Sequence, residues 1–433
     1  MPTLLWFRRD LRLHDHPALL DAVAADSDVL ACYVLDPRLK ASAGQRRLQY
    51  LYDALRDLHD SLDGRLHVSR GRPEKRIPAL VKAIGASSVH VSGDYTPFGR
   101  RRDDAVRDAL GDVSLEESGS PYLVSPGRVT KDDGTPYKVF TPFYAAWRKH
   151  GWRPPASSGP KSAKWIDPGD VPGRVQIPDG GVELELPAGE GAARRQWKSF
   201  VRKQLEGYDK DRNRPDLPAT SRMSAHLKFG AIHPRTMAAD LGDGAGAGAG
   251  AQAYLRELAF RDFYAAVLNE WPDSAWWNWN KAFDEIQVDD DKNARKLFDA
   301  WKAGRTGFPI VDAGMRQLAE TGFMHNRVRM IVASFLVKDL HLPWQWGARW
   351  FLDQLVDGDM ANNQHGWQWA AGCGTDAAPY FRVFNPTTQG EKFDPDGEYV
   401  RRWVPEIDED YPDPIVDHKE ERAEALRRYG EIT

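Results

Sequence analysis

The feature that most constrains this chain is an alternation running through its first 124 residues. Short β-branched or apolar runs (TLLWF from Thr3, DVLACYVL from Asp28, RLHVS from Arg65, SSVHVS from Ser87 and VSL from Val113) are separated by segments of helical period. Helices are predicted from 17, over 45–62, from 73 and from 100. Strands that alternate with helices pair in parallel, so the expectation is a doubly wound α/β sheet. Such sheets bind ligands beyond the carboxyl ends of their strands, here near Asp36, Gly71 and Asp94. No G-x-G-x-x-G follows any of these strands and no Walker A sequence occurs, which argues against an ordinary dinucleotide fold and a P-loop.

The alternation ends before a stretch from 151 to 191 that is rich in proline and glycine and has little periodicity, which reads as a long surface linker. Beyond it the period turns helical, with helices predicted over 193–206, 225–241, 253–269, 293–302, 309–321, 326–339 and 344–355. The resulting division is an α/β domain over 1–130, a linker over 131–192 and an all-helical domain over 193–433. DGAGAGAGAQA, from Asp243, reads as a Gly/Ala loop, since no strand precedes it to form a phosphate cradle.

Composition excludes several classes of function. Charged residues make up 28% and no apolar run approaches the ~20 residues of a membrane helix. The start, MPTLLWFRRDLRLHDHPAL, passes straight from a short apolar run into charge, unlike a secretory signal, so the cytoplasm is the expected compartment. Two cysteines, Cys32 and Cys373, supply neither a disulfide framework nor a four-thiolate zinc site, and no bound metal is expected. The net charge of −4 hides an asymmetry: residues 391–433 hold fourteen acids against seven bases, which leaves 1–390 at +3. A mildly basic body with arginine clusters is compatible with a polyanionic partner.

Most of the tryptophans lie at or after Trp271. Aromatic residues in helices usually fill cores. Trp367-Gln368-Trp369, however, sits in DGDMANNQHGWQWAAGCGTD, whose Gly, Asn and Asp read as turn formers. Indoles beside polar, Gly-rich backbone suit a planar heteroaromatic ligand. Asp357 and Asp359, two apart, would diverge on a helix but converge on a turn; an ion pair with Arg329 is the plain alternative. TSRMS (220–224) offers hydroxyls before a helix, as an N-cap or as a seat for phosphate. Arg212 and Arg214 just before it are solvated charge or phosphate contacts.

Longer motifs decide between these readings. From LWFRRDLRLHDHPAL to PYFRVFNPTTQGEKFDPDG, through TSRMSAHLKFGAIHPR, RTGFPIVDAGMRQL and FMHNRVRMIVASFLVKDL, the chain resembles the DNA photolyase/cryptochrome family along nearly its whole length. Within that family it is most similar to class I cyclobutane pyrimidine dimer photolyases. The resemblance implies an antenna-type α/β domain and a helical domain holding FAD. Tyr208 and the run Thr220, Ser221, Arg222, Met223 and Ser224 would hold the pyrophosphate side, with Tyr254 where the family usually has Trp. Arg261, Asp357, Gly358 and Asp359 would line the cofactor, Arg329 would pair with Asp357, and Asn363 would face flavin N5. Glu257, beside the flavin, would hydrogen-bond the pyrimidine carbonyl of a lesion flipped out of the duplex. Asn326, Met330 and Trp369 would contact the dimer, while Arg212, Arg327 and Gln389 would sit by DNA. Asn326 and Met330 stand where (6-4) photolyases have histidines, which points to cyclobutane dimers. The implied reaction is one-electron splitting of the dimer by light-excited reduced FAD.

The chain departs from the family pattern at two positions. Phe260 replaces a tryptophan that stacks on the dimer, leaving a smaller π-face. Trp367 and Trp344 match two members of the family's electron path, but Asp291 falls at the surface member and cannot carry the hole. GDYTPFGRRRD and LKFG are similar to members that bind an 8-hydroxy-5-deazaflavin antenna through positions matching Arg47, Asp94 and Lys228; methenyltetrahydrofolate-binding members tend to have Glu where Gly99 falls. The expectation is thus a monomeric, FAD-dependent deoxyribodipyrimidine photolyase acting on damaged DNA. Its rivals are a cryptochrome-like blue-light sensor and a flavin-bearing DNA-binding protein without turnover.

Overall fold

Residues 1–26, 28–156, 163–242, 248–377, 379 and 382–432 are described in a computed structural model of the chain. The start of the predicted Gly/Ala loop, 243–247, lies outside the described residues. By compactness the chain forms two units, one of residues 1–137, 141–206 and 221–270, the other of 138–140, 207–220 and 271–433.

The first unit contains the expected sheet. Its elements are β1 (Thr3–Phe7), α1 (Pro17–Ala25), β2 (Asp28–Leu35), α2 (Pro37–Ala41), α3 (Gln45–Ser61), β3 (Leu66–Arg70), α4 (Pro73–Ile84), β4 (Ser88–Val91), α5 (Pro97–Leu110) and β5 (Ser114–Glu117). The strands run in the order β3-β2-β1-β4-β5, all parallel, and the short β6 (Lys164–Trp165) joins β2 at Asp28 and Val29. The order reverses between β1 and β4, the position where doubly wound sheets open a crevice. Every residue of β1 and β4 is buried, as expected for strands covered on both faces. On one face Leu4, Trp6, Leu30, Cys32, Val34, Val89 and Val91 pack with Ile77, Leu80 and Val81 of α4 and Val106 and Leu110 of α5.

At the carboxyl end of β1, Arg8 reaches Asp103 at 2.5 Å and the carbonyl of Ser92, and Arg102 contacts Asp103 at 2.8 Å and Asp94 at 3.2 Å. Trp6 lies under both guanidinium groups, 4.8 Å from Arg8 and 5.1 Å from Arg102. Burial raises the pKa of Asp94, but Arg102, Arg9 and Arg8 outweigh it and hold the carboxyl at about 2.

Helices α6 (Phe140–His150), α7 (Glu190–Lys203), α9 (Ser224–Phe229), α10 (Pro234–Leu241) and α11 (Ala249–Glu270) correct two expectations. The predicted 131–192 linker contains α6, whose Trp147 is wholly buried and donates its indole N–H to Asp262 at 3.0 Å. The single helix predicted over 225–241 is two, because Gly230 takes a left-handed turn and Pro234 starts the next helix. The compact division also differs from the predicted one: α7, α9, α10 and α11 belong with the sheet.

The second unit contains α8 (Tyr208–Asp211), α12 (Lys292–Lys302), α13 (Pro309–Thr321), α14 (Asn326–Lys338), α15 (Trp344–Gln354), α16 (Met360–Ala371), α17 (Pro386–Phe393), α18 (Glu398–Trp403) and α19 (His418–Gly430). Trp301, Val311, Leu318, Val328, Phe335, Phe351 and Trp367 belong to its core. RTGFPIVDAG is structural: buried Asp312 accepts from Thr306 N (2.8 Å), Thr306 Oγ1 (2.7 Å), Gly307 N (3.1 Å) and Tyr411 OH (2.5 Å). The turn reading around Trp367 is also corrected. MANNQHGWQWAA is helix α16, with Asn362, Asn363 and Gly366 inside it; Asp359 caps its N-terminus and Gly372 takes the left-handed turn that ends it. No described helix is long and apolar enough to cross a membrane.

Candidate functional site

In the first unit the candidate residues lie on the loop before α9 and on α11. TSRMS does not act as an N-cap: the residue before α9 is Met223, with no side-chain cap bond. Ser221 Oγ instead pairs with the Tyr254 hydroxyl at 2.8 Å and accepts from Met223 N at 3.4 Å, and the Ser221 carbonyl accepts from Gln196 at 2.7 Å. Arg222 stands at φ 52, a left-handed conformation that a non-glycine side chain adopts at some cost. It bends the chain between two hydroxyl-bearing residues, Ser221 and Ser224.

On α11, Tyr254, Glu257 and Arg261 follow helical spacing along one side, and Arg256, Phe260 and Tyr264 along another. The Arg256 guanidinium lies 5.3 Å from the Tyr144 ring and 5.8 Å from that of Phe260. Glu257 and Phe260 are half-buried. Arg261 commits two N–H groups to the chain itself, donating to the carbonyls of Pro121 (2.7 Å) and Leu227 (3.2 Å). Next to it, buried Asp262 accepts from Val124 N (2.8 Å), Leu123 N (3.3 Å) and Trp147. Burial outweighs these donors and pushes its carboxyl up to about 6.

In the second unit, Arg329 donates through Nη2 to both oxygens of Asp357 (3.0 and 3.3 Å) and through Nε to the Met324 carbonyl (2.8 Å). Asp359 instead caps α16, accepting from Asn362 N at 3.2 Å and Asn362 Nδ2 at 2.9 Å. The two acids therefore do separate work, and Asp357, Gly358 and Asp359 are all buried. Asn363 donates its amide N–H groups to the Ala348 carbonyl (3.0 Å) and to Gln364 Oε1 (2.7 Å), so its own Oδ1 remains an acceptor. Trp367 packs against α15 at Gly347, where a Cβ would come within 2.1 Å of the indole.

On α14, Asn326 and Met330 share a face, with Nδ2 and Sδ 4.0 Å apart. Arg327 donates to Asn213 Oδ1 at 2.8 and 3.2 Å and lies 4.4 Å from the Phe393 ring. Burial, then the charges of Arg212 and Arg382, lower its pKa. Arg212 lies 5.9 Å from the Tyr208 ring. Trp369 packs at the edge of the helical core, and Gln389 is half-buried on α17.

Residues 3–161 match the family described as DNA photolyase, and residues 254–409 match the FAD binding domain of DNA photolyase. The chain is 40% identical to a deoxyribodipyrimidine photo-lyase of Thermus thermophilus, covering 98% of each, and 37% identical to that of Escherichia coli, again covering 98% of each. The chain belongs to the DNA photolyase family. Among solved structures, this photolyase-family chain is similar to a bacterial class III photolyase from Agrobacterium tumefaciens (TM-score 0.87, 36% identity, covering 100% of this chain and 97% of the other). It is also similar to a cryptochrome of Synechocystis (TM-score 0.89, 26% identity, covering 98% of each).

For a photolyase, the residues overlooked in the sequence are mostly positioning groups. Gln368 donates to the carbonyls of Ser274 (2.6 Å) and Trp277 (3.2 Å) and accepts from Trp279 N (2.9 Å). Gln364 donates to Ala275 O, and Asn278 accepts the Trp344 indole N–H at 2.9 Å. These bonds tie 274–279 to α15 and α16, and no local pattern announces partners some 90 residues away. Asn213 and Arg382 were also overlooked; Arg382 lies within the quoted PYFRVFNP motif, which was its available signal. Asp291 is exposed and caps α12, accepting from Ala294 N at 2.8 Å. Of the antenna candidates, Asp94 is engaged by Thr96 and Arg102, Arg47 donates to the Ser42 carbonyl at 2.9 Å, and the Lys228 carbonyl accepts from Arg9 at 3.4 Å.

Proposed function

We propose that the chain is a deoxyribodipyrimidine photo-lyase that uses light and FAD to split cyclobutane pyrimidine dimers in DNA, acting as a monomer. The observation that carries this reading is similarity to deoxyribodipyrimidine photo-lyases over nearly the full length of both chains. Groups within each unit suit parts of FAD by their chemistry. The second unit has an amide whose oxygen stays open to a ring N–H and a buried carboxylate paired with Arg329, and the first has hydroxyls with a bent backbone at Ser221–Ser224. Tyr208, Thr220, Ser221, Arg222, Met223, Ser224 and Tyr254 are assigned to the pyrophosphate side, and Asp357, Gly358, Asp359 and Asn363 to the flavin and ribityl side. Arg261, two of whose N–H groups donate to the carbonyls of Pro121 and Leu227, is also assigned to the cofactor.

Bound in its reduced form, FAD supplies a one-electron donor once excited by light. Glu257 donates a hydrogen bond to a pyrimidine carbonyl of the dimer, which requires its carboxyl to hold a proton at that moment. Phe260 and Trp369 provide faces for the flipped bases, whose extrusion costs a few kcal/mol. Asn326 and Met330, neutral at every working pH, leave the ring to split without proton transfer at those positions. Arg212, Arg327 and Gln389 meet the DNA backbone, so affinity falls with salt.

For the antenna, 8-hydroxy-5-deazaflavin is favoured over methenyltetrahydrofolate. A Cβ at Gly99 would lie 2.2 Å from the Asp94 carboxyl carbon, so the glutamate of folate-binding members does not fit there unless Asp94 moves. Arg47, Asp94 and Lys228 are the assigned contacts.

The test is repair of a thymine-dimer oligonucleotide under blue light, with FAD reduced chemically beforehand and a dark control. Light-dependent recovery of thymines is expected. Dimer binding without recovery in light would replace the reading with a sensor or a non-catalytic flavoprotein.

A further inference from the structure

With Asp291 exposed at the position where the family's surface tryptophan falls, an electron path through Trp367 and Trp344 needs another surface end. Two candidate routes from Trp367 can be compared within the helical unit. One runs to Trp301 (ring centroids 6.1 Å apart), then Phe298 (5.7 Å), then Trp346 (5.4 Å). The other crosses α15: Trp367 rests on Gly347, one turn from Trp344. Trp344, 5% exposed, donates its indole N–H to Asn278, the chain neighbour of Trp277.

Electrostatics separates the two ends. An oxidised indole is a cation, so a cation on its face raises the cost of forming it. Arg295 lies 3.6 Å from the Trp346 centroid, Lys302 5.2 Å from Trp350, Arg349 4.5 Å from Trp276, and Lys138 5.5 Å from Trp279 and 6.0 Å from Trp271. Among the described residues, no such cation lies over Trp277. Trp277 is also 63% exposed, so its N–H can release a proton to water, whereas Trp301 is buried with its N–H committed to the Val332 carbonyl.

We infer that Trp277 is the surface end of the route by which this chain delivers an electron to light-excited oxidised FAD, through Trp344 and Trp367. This rests on the photolyase reading above. Trp367 gives up one electron and is refilled from Trp344, which is refilled from Trp277. The oxidised Trp277 loses its indole proton to water, and an exogenous thiol returns one electron and one proton.

The test illuminates the FAD-loaded full chain in its oxidised form, with and without thiol, in the parent, Trp277→Phe, Trp346→Phe and Trp367→Phe. Flavin absorbance is followed, and a radical trap is mapped by peptide mass spectrometry. The expected result is a trap adduct on Trp277 in the parent, photoreduction slowed several-fold in Trp277→Phe, and an unchanged rate in Trp346→Phe. An adduct on Trp346, or an unchanged rate in Trp277→Phe, overturns the assignment to Trp277. Unchanged photoreduction in Trp367→Phe overturns the flavin-proximal reading itself, so the two failures are distinguishable. Bound flavin is measured in each variant to separate electron transfer from loss of cofactor.

Discussion

At the carboxyl end of β1, Arg8, Arg102 and Asp103 are buried together as charges, and the carboxylate of Asp94 packs against Arg102. Around α16 the buried polar groups are mostly neutral: Gln364, Gln368, Ser274 and His365, bonded to backbone carbonyls or to one another. The difference has a physical sense. A charged cluster in a low-dielectric interior locks geometry strongly but creates a steep field. An amide network holds α16, with Asn363 and Trp367, in place while adding no net charge beside a site proposed to pass single electrons. The carboxyl end of the sheet can tolerate fixed charge, while the helical site concentrates its charge in the Arg329–Asp357 pair and in the arginines assigned to DNA.

Acid titration separates buried neutral histidines, His226 in the first unit and His325 and His365 in the second, from the charged cluster at the end of β1. Burial pushes His226, His325 and His365 down to about 4, so each is neutral in the folded chain well below its usual 6.5. As pH falls from 6.5 to 4 the unfolded chain takes up protons that the folded chain refuses. Stability present above 6.5 is therefore lost, by up to roughly 3 kcal/mol per histidine. Asp94, held at about 2, contributes stability above its usual 3.8 that is lost only as pH falls through about 2. Denaturation midpoints should thus drop between pH 6.5 and 4; a flat profile there with a drop only below 4 would show that the charged cluster governs acid stability.

Arg102→Leu removes the partner of two buried carboxylates and should cost about 3–5 kcal/mol in denaturant unfolding. If the cost is below 1 kcal/mol, the carboxyl end of the sheet does not depend on charge. Gln368→Leu conserves shape but strands two carbonyls and an N–H, and should cost about 3 kcal/mol. An equal loss in a Gln368→Glu variant at pH 8 would be informative, since an acid accepts from Trp279 N but cannot donate to Ser274 and Trp277. Should Gln368→Glu be fully stable, the carbonyls do not need their donor. The smallest effect belongs to Phe260→Trp, which enlarges the face assigned to the lesion and should tighten dimer binding by about 1 kcal/mol, read by titration with dimer-containing oligonucleotide.

Much of the fold was legible because its signals are local. The strand-helix alternation up to 124 and the helix starts at Pro309, Asn326 and Trp344 appear where expected. Helix α16 was misread because its Asn and Gly residues are poor helix formers, and it is packing and the caps at Asp359 and Gly372 that hold it helical. Helix α6 was hidden in a stretch read as linker, and the polar helices after 385 had too weak an apolar period to stand out. The Arg329–Asp357 ion pair was legible from the residues themselves, and the role expected of Asn363 came from motif resemblance; the partition of labour between Asp357 and Asp359 was not legible, since both occupy the same tripeptide.

By itself, the sequence determined the doubly wound parallel sheet, the helical character of the second half and the family, because hydrophobic period, turn chemistry and long motifs are properties of neighbouring residues. Only the tertiary structure decided that Asp94 is spent on Arg102, that Trp344 is held by Asn278, that Arg327 is flanked by Arg212 and Arg382, and that Trp277 stands exposed with no cation on its face among the described residues. These are relations between segments far apart in the chain. A side chain's charge, donors and exposure take their value from the groups folding brings against it.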